Sequence, residues 1–469
     1  MQYTTSIKSI SKATLIPGLL FLFALLYFPF GNGSKDKTFN ILDFGAIPDG
    51  KTLNTKAIQA AIKKAIAAKG TVVVPAGKFY TGSLLLGPNM TLKLEKDAEL
   101  IASTQMGDYQ QDEFILAPYA DNLSITGEGT INGNGTSFFD EEWDFEQRPE
   151  PWIVIRDAKN VVVENITLIN SPSHCLGFDY CNDVAVSGLV IKNDPRSPNT
   201  DGIDIRNSQG VVIKDCDIRT GDDAICIKNQ RKPESLINDR GEARNKVTRD
   251  IEVYDCYLES DDAALKLGTG SGHLITDVSF RNISICDSRY GIALFMMDGG
   301  SYKNISCTDI TIVTGGRHKN EYAIFMDIHQ RDAASKVGAI SQISFDHMDI
   351  TTNGLLYFSG HPQQDIDEVS MTNSTIRVPF ADNTIEKNWT KPKGNKKVKD
   401  WPTTASFVQA PATVIIAKAT DFKIKNVRIH HEEGKMDRHG IYLKDIKGLD
   451  TLHIQGNTIN KEALVFRAE

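Results

Sequence analysis

The sequence predicts an all-β protein of one domain, a parallel β-helix (solenoid) closed at its N-terminal end by a capping α-helix. Three observations predict it: a repeated strand–turn–strand unit, a second strand that recurs between these units, and an amphipathic segment ahead of them. The 469 residues are 41% hydrophobic, enough for a large core. The net charge of −8 argues against a general nucleic-acid-binding protein, so we expect no nucleic-acid partner.

The repeated unit is a short strand, a turn of Asn, Asp or Gly, and a further short strand. Two intervals between units are identical, Asn182 to Gln209 and Thr276 to Lys303. Strands at regular spacing would also fit a sandwich or a barrel. A fixed period without intervening helices, with asparagine at the bends, favours the parallel β-helix. In that fold, residues at equivalent repeat positions stack at about 4.8 Å.

The segment of residues 54 to 70 has apolar residues at helical spacing. They share one face: Ile58, Ala61, Ile62, Ala65 and Ile66. Thr55 is the expected N-cap, and Gly70 is expected to end the helix. Because the end of a solenoid exposes its apolar core, we expect this helix to cover it.

Residues 1–34 have the order of a secretory signal. Lys8 and Lys12 precede an apolar run at residues 15 to 30, and a small polar segment follows. An uncleaved N-terminal anchor is the alternative. In either case we expect an exported protein, secreted or periplasmic, whose residues 35–469 form the β-helix domain. We expect a monomer with no membrane contact beyond such an anchor.

Aspartates are concentrated where the second recurring strand begins. They occur in NTDGIDIRNS (199 to 208) and GDDAICIKN (221 to 229), as Asp201, Asp222 and Asp223. Asp262 would begin the same strand one coil further on. A single Asp before a strand usually forms an Asx turn. Aspartate pairs on adjacent coils repel one another without structural benefit, so the sequence predicts a functional cluster.

Such a cluster suits glycoside hydrolysis, in which one carboxyl group protonates the leaving oxygen and others activate water. The neighbouring negative charges would raise the pKa of the acid. Calcium binding by the same carboxylates, as in lyases that act on uronides, is the competing interpretation.

These residues resemble the polygalacturonase-like glycoside hydrolases of family 28. The resemblance rests on Asn199-Thr200-Asp201-Gly202 followed by Gly221-Asp222-Asp223. It implies a right-handed parallel β-helix and inversion at the anomeric carbon. It also implies Asp222 as the general acid, Asp201 and Asp223 as the residues that hold and deprotonate water, and no metal or other cofactor.

The sequence departs from the family pattern in two places. Where the family has Gly-His-Gly, this chain reads Ser260-Asp261-Asp262-Ala263. Where the family has an Arg-Ile-Lys strand that binds the substrate carboxylate, this chain has Ala293 and Phe295. The pattern therefore predicts a divergent member of the family.

Other polar and aromatic residues are candidates for substrate binding. Lys228 and Lys266 are expected at matching positions, where they either neutralise the acids or contact the substrate. His174 falls in the coil before Asp201, with an ordinary turn histidine as the alternative. The full set of substrate-binding candidates is Asp262, Lys228, Lys266, His174, Arg289 and Trp401, the last in a Lys-rich loop at 381 to 404.

The expected function is that of an exported glycoside hydrolase acting on a pectic, galacturonate-containing or related anionic polysaccharide. One alternative is a polysaccharide lyase on the same fold that uses calcium. The other is a carbohydrate-binding β-helix without catalysis, which the two departures favour.

Overall fold

The computed structural model describes residues 37–229, 236–314, 321–379, 408–432, 438–458 and 462–468. The predicted signal or anchor at residues 1–34, the loop at 381 to 404 and its Trp401 lie outside the described residues. Lys37–Glu469 forms one compact unit. Within the described ranges, no helix is long and apolar enough to cross a membrane.

The strands pair in parallel with their equivalents in the coils before and after, and they form three faces of a solenoid. The first face consists of Leu84–Leu85, Ile115–Pro118, Ile153–Arg156, Leu176–Asp179, Ile203–Arg206, Ile225–Lys228, Ala263–Leu267, Tyr290–Met296, Tyr322–Ile328, Leu355–Ser359 and Val465–Arg467. The second face consists of Thr38–Asn40, Thr71–Val74, Thr91–Leu94, Ser124–Gly127, Lys159–Glu164, Asn182–Ser187, Gln209–Lys214, Ala339–Asp346 and Ile366–Thr372. The third face consists of Gly77–Thr81, Ala98–Ala102, Thr130–Asn132, Thr167–Ile169, Val190–Lys192, Asp217–Thr220, Asp349–Thr351 and Thr375–Val378.

Five longer strands bend from one face to the next without a break. Thr248–Ser260, Leu274–Cys286 and Ser301–Val313 run through the second and third faces, whereas Ala412–His431 and His439–Gly456 run through all three. The prediction of a parallel β-helix is confirmed.

Asparagine and aspartate occupy the bends between faces because they tolerate the left-handed backbone conformation. Asp215, Asp255 and Asn282 lie at one such bend on successive coils, with φ of 55°, 55° and 51°. The side-chain amide of Asn282 donates to Oδ1 of Asp255 at 2.6 Å, which links one coil to the next. The polar turns seen in the repeat therefore form a ladder along one edge.

The helix Thr55–Ala68 packs against the first coils and buries Ile58, Ala61, Ile62 and Ala65, as the apolar spacing predicts. Its N-cap is Asn54 and not Thr55, whose hydroxyl instead accepts a hydrogen bond from the backbone of Gly82 at 2.8 Å. Three short 3-10 helices, Ile41–Phe44, Met106–Asp108 and Gly135–Phe138, complete the described helices.

Candidate active site

The four predicted aspartates lie together on the outer side of the first face. Alternation points Ile203 and Ile225 into the core and places them side by side. Just before these strands, the backbone N–H of Gly202 donates to the carbonyl oxygen of Asp223 at 2.8 Å. Asp201 thus lies beside Asp223 in the next coil, as the repeat predicts.

The carboxylates approach one another closely. One oxygen from each of Asp222, Asp223 and Asp262 lies within 4.8 Å of the other two. Oxygens of Asp201 and Asp223 also lie within 4.8 Å of each other. Asp262 is therefore part of the same cluster, one coil beyond Asp222.

Two lysines neutralise part of this negative charge. Nζ of Lys228 lies 2.8 Å from Oδ2 of Asp201 and 2.8 Å from Oδ1 of Asp204. Nζ of Lys266 lies 2.7 Å from Oδ2 of Asp223 and 3.7 Å from Oδ2 of Asp262. Each lysine bridges two carboxylates, so the ion pairs divide the cluster into two halves.

The expectation that Lys228 and Lys266 occupy matching positions is wrong. Lys266 is paired with Cys226 in the sheet, and Lys228 is paired with Arg206. The two lysines are offset by two residues, so both still point outward from the first face but reach different aspartates.

The carboxyl groups are expected to titrate very differently. Burial, followed by the charges of Asp201, Asp223 and Asp262, raises the pKa of Asp222 well above its usual value. Burial also raises the pKa of Asp223, to about 7, although Lys266 opposes the shift. Burial acts on Asp201 in the same direction, but Lys228 and His174 outweigh it and its pKa is lowered. The site thus holds a carboxyl group that resists ionisation, Asp222, beside one that ionises readily, Asp201.

His174 lies next to Asp201, as its position in the preceding coil predicts. Its Nε2 is 3.6 Å from Oδ1 of Asp201. Arg206, which the sequence argument did not select, contacts Nδ1 of His174 at 3.2 Å and Oδ2 of Asp204 at 2.6 Å. Burial lowers the pKa of His174, although the charges of Asp201 and Asp204 oppose this shift.

Asn199 contacts Asp222 directly, and Arg148 holds Asn199 in place. The backbone N–H and side-chain amide of Asn199 donate to Oδ2 of Asp222 at 3.2 and 3.4 Å. The buried Arg148 donates to Oδ1 of Asn199 at 3.2 Å and to the carbonyl oxygens of Pro172 and Pro198. This orients the amide so that its N–H₂ group faces the carboxyl. No sequence motif marked Arg148.

Arg289 lies at the cluster, whereas Ala293 and Phe295 are buried among apolar side chains. Nη1 of Arg289 donates to Oδ1 of Asp262 at 3.3 Å, so Arg289 joins the cluster. Ala293 and Phe295 lie in a buried apolar cluster with Tyr290, Phe325 and other residues of the first face. The basic strand of the family is therefore replaced by packed apolar side chains.

The carboxylate oxygens of Asp222, Asp223 and Asp262 are close enough to bind a cation together. Calcium prefers six to eight oxygen ligands. Nζ of Lys266 already lies 2.7 Å from Asp223 and provides positive charge within this group. Lys266 and Arg289 therefore already neutralise part of the negative charge of this group.

Comparisons with known proteins identify the family to which the chain belongs. Residues 65–315, more than half of the chain and including all four aspartates, match the family described as "Glycosyl hydrolases family 28". A probable polygalacturonase of Vitis vinifera is 29% identical over 303 residues, covering 59% of this chain and 60% of that protein. An exopolygalacturonase of Zea mays is 29% identical over 315 residues, covering 59% of this chain and 77% of that protein.

Among solved structures, a family 28 exopolygalacturonase of Yersinia enterocolitica superposes with a TM-score of 0.66 at 20% identity. The superposition covers 89% of this chain and 78% of that one. It confirms the right-handed parallel β-helix. With more than half of its length matched to one family, the chain belongs to the glycosyl hydrolases of family 28.

Proposed function

We propose that this protein is an exported glycoside hydrolase that cleaves O-glycosidic bonds of a pectic, galacturonate-containing or related anionic polysaccharide. The observation that carries the proposal is the carboxylate cluster, in which the pKa of Asp222 is raised and that of Asp201 is lowered. Two neighbouring carboxyl groups with separated pKa values are what acid and base roles require. The relatives named above support the substrate class.

In the proposed mechanism, Asp222 donates its proton to the leaving glycosidic oxygen. Asp201 and Asp223 hold a water molecule and accept its proton as it attacks the anomeric carbon. Asp201 is ionised across the working range because Lys228 lowers its pKa. Asp223 becomes a base only as the pH approaches about 7.

Inversion at the anomeric carbon is part of the proposal. Inverting enzymes generally separate their two carboxyl groups by about 6.5–9.5 Å to admit water. One oxygen of Asp222 lies within 4.8 Å of one oxygen of Asp223. We therefore place the attacking water over Asp201 and Asp223, and the configuration of the product tests this placement.

The other cluster residues would position the substrate. Asp262 and Arg289 border the acid on the far coil, and His174 borders Asp201 on the near coil. Lys228 and Lys266 each balance part of the negative charge of the cluster. Trp401 stays a prediction.

A calcium-dependent lyase is the second candidate, because three carboxylate oxygens converge near Lys266. Lyase chemistry needs an uncharged lysine or arginine as base. The carboxylates outweigh burial and raise the pKa of both Lys228 and Lys266 well above the usual value, which keeps both charged. This favours hydrolysis.

The test is to follow the products released from polygalacturonate and other pectic polysaccharides. A hydrolase releases new reducing ends without an unsaturated, ultraviolet-absorbing product, and it keeps its activity with chelator. Proton NMR at early times should show the anomer opposite to that of the substrate linkage. An unsaturated product lost on chelation would indicate the lyase, retained configuration would refute inversion, and binding without cleavage would indicate a binding module.

A further inference from the structure

We propose that a basic pocket beside the carboxylate cluster binds the carboxylate of a uronate unit of the substrate. The inference rests on the proposed function and adds a binding site to it. The pocket has a volume of about 290 Å³. Its lining residues are Arg206, Lys228, Asn229, Thr269, Gly270, Asp298 and Arg331.

The pocket adjoins the proposed catalytic residues through one shared side chain. Arg206 and Lys228 are the last residues of adjacent strands of the first face. Lys228 lines the pocket, and its Nζ lies 2.8 Å from Oδ2 of Asp201. A sugar bound over Asp201 can therefore extend a substituent into the pocket.

The pocket presents cations to solvent while their carboxylate partners lie behind them. The side chains of Arg206, Lys228 and Arg331 are 15%, 17% and 27% exposed. Those of the partner carboxylates Asp204 and Asp298 are each only 1% exposed. The charged side-chain groups that a ligand meets are therefore mainly N–H donors, from which a carboxylate accepts hydrogen bonds.

Arg331 is the best placed of the three cations. Its Nε and Nη2 donate to the two oxygens of Asp298 at 2.7 and 2.9 Å, and Nη2 also donates to the carbonyl oxygen of Thr269. No hydrogen bond from Nη1 to another of the described residues accompanies these. The guanidinium is thus fixed on one side and offers donors on the other.

The size and charge of the pocket indicate one acidic sugar. Its volume lies just below the range for sites that bind drug-sized molecules, which is about 300–1,000 Å³. The strand that would bind a substrate carboxylate in the family holds Ala293 and Phe295, both buried. In this chain, Arg206 and Arg331 line the same pocket as Lys228.

The experiment measures binding of trigalacturonate and of its carboxyl-reduced, neutral counterpart by calorimetry, in an Asp222→Asn background that prevents turnover. Arg331→Gln should weaken trigalacturonate binding about ten-fold or more, the usual effect of one charge-assisted hydrogen bond, and should leave the neutral sugar within about two-fold. Arg331→Lys should recover part of the loss. The exposed Arg377, on the third face, serves as the control through Arg377→Gln.

Arg331→Gln leaves the buried Asp298 without its cation. Sugar binding is therefore also measured for the double variant Asp298→Asn/Arg331→Gln, and circular dichroism verifies that each variant is folded. Equal losses for both sugars, unchanged binding, or no trigalacturonate binding by the parent would each overturn the pocket assignment. Failure of the proposed function is separate: it would appear as absence of cleavage by the protein with Asp222 intact.

Discussion

The ammonium group of Lys228 lies 2.8 Å from a carboxylate oxygen of Asp201, one coil away in the solenoid. This ion pair, with His174, overcomes the effect of burial and lowers the pKa of Asp201. It keeps one carboxylate ionised in a cluster where burial and mutual repulsion keep Asp222 protonated. The ion pair is therefore the basis for proposing Asp201 as a base and Asp222 as the acid.

Replacing Lys228 should shift the acidic limb of the pH profile of kcat/KM to higher pH. Lys228 lowers the pKa of both Asp201 and Asp223, so Lys228→Gln should leave fewer ionised base groups at low pH. We expect kcat/KM to fall at least about ten-fold more at about pH 5 than at about pH 8. Lys214→Gln, at an exposed lysine on the second face, is the control. An equal loss at both pH values would contradict the role of Lys228.

Removing Lys266 should destabilise the fold in a pH-dependent way. Loss of one partner from a buried ion pair costs about 3–5 kcal/mol when the other stays charged. Asp223 has a pKa of about 7 with Lys266 present, and removal of the lysine raises that pKa further. Lys266→Met should therefore cost more unfolding free energy at about pH 8 than at about pH 5. Urea unfolding measures this.

The double variant Lys266→Met/Asp223→Asn removes both charges and should recover much of the stability at the higher pH. A single variant as stable as the wild type at about pH 8 would show that the ion pair contributes nothing there.

Arg148 is predicted to act on the reaction by positioning Asn199. Arg148→Met should release the amide that donates to Asp222 and lower kcat by about ten- to a hundred-fold, with little change in KM. The alkaline limb should also move, because the hydrogen bonds to Asp222 affect how readily it loses its proton. A purely structural role would instead lower thermal stability and leave the pH profile of the folded fraction unchanged.

Asp222→Asn should stabilise the protein, and the gain should grow with pH. The pKa of Asp222 in the folded state is above its unfolded value of about 3.8. As the pH rises past about 4, the unfolded chain loses this proton first, so the wild type loses stability until the folded pKa is passed. Asparagine does not titrate. Thermal unfolding at several pH values measures the difference, and a difference that shrinks with rising pH would contradict the raised pKa.

The repeat predicted most of this site, because stacking converts equivalent sequence positions into spatial neighbours. Asp201, Asp222, Asp223 and Asp262 could be placed together on that ground alone. The offset between Lys228 and Lys266 could not, since it depends on where each strand begins relative to its aspartates.

Arg148 and Arg331 were missed for a different reason. Each reaches the site from a segment outside the strands that carry the aspartates, and its role depends on side-chain direction. Arg148 contacts Asn199 across 51 residues of sequence, and Arg331 contacts Thr269 across 62. No periodic pattern indicates such contacts.

The most direct test of the central claim compares reducing-end release by the wild type and by Asp222→Asn on the polysaccharide that the wild type cleaves best. Removal of a general acid lowers turnover by about 10²–10⁴-fold. We predict a loss of that size in a variant that is folded and at least as thermally stable as the wild type. Near-normal turnover by folded Asp222→Asn would contradict it.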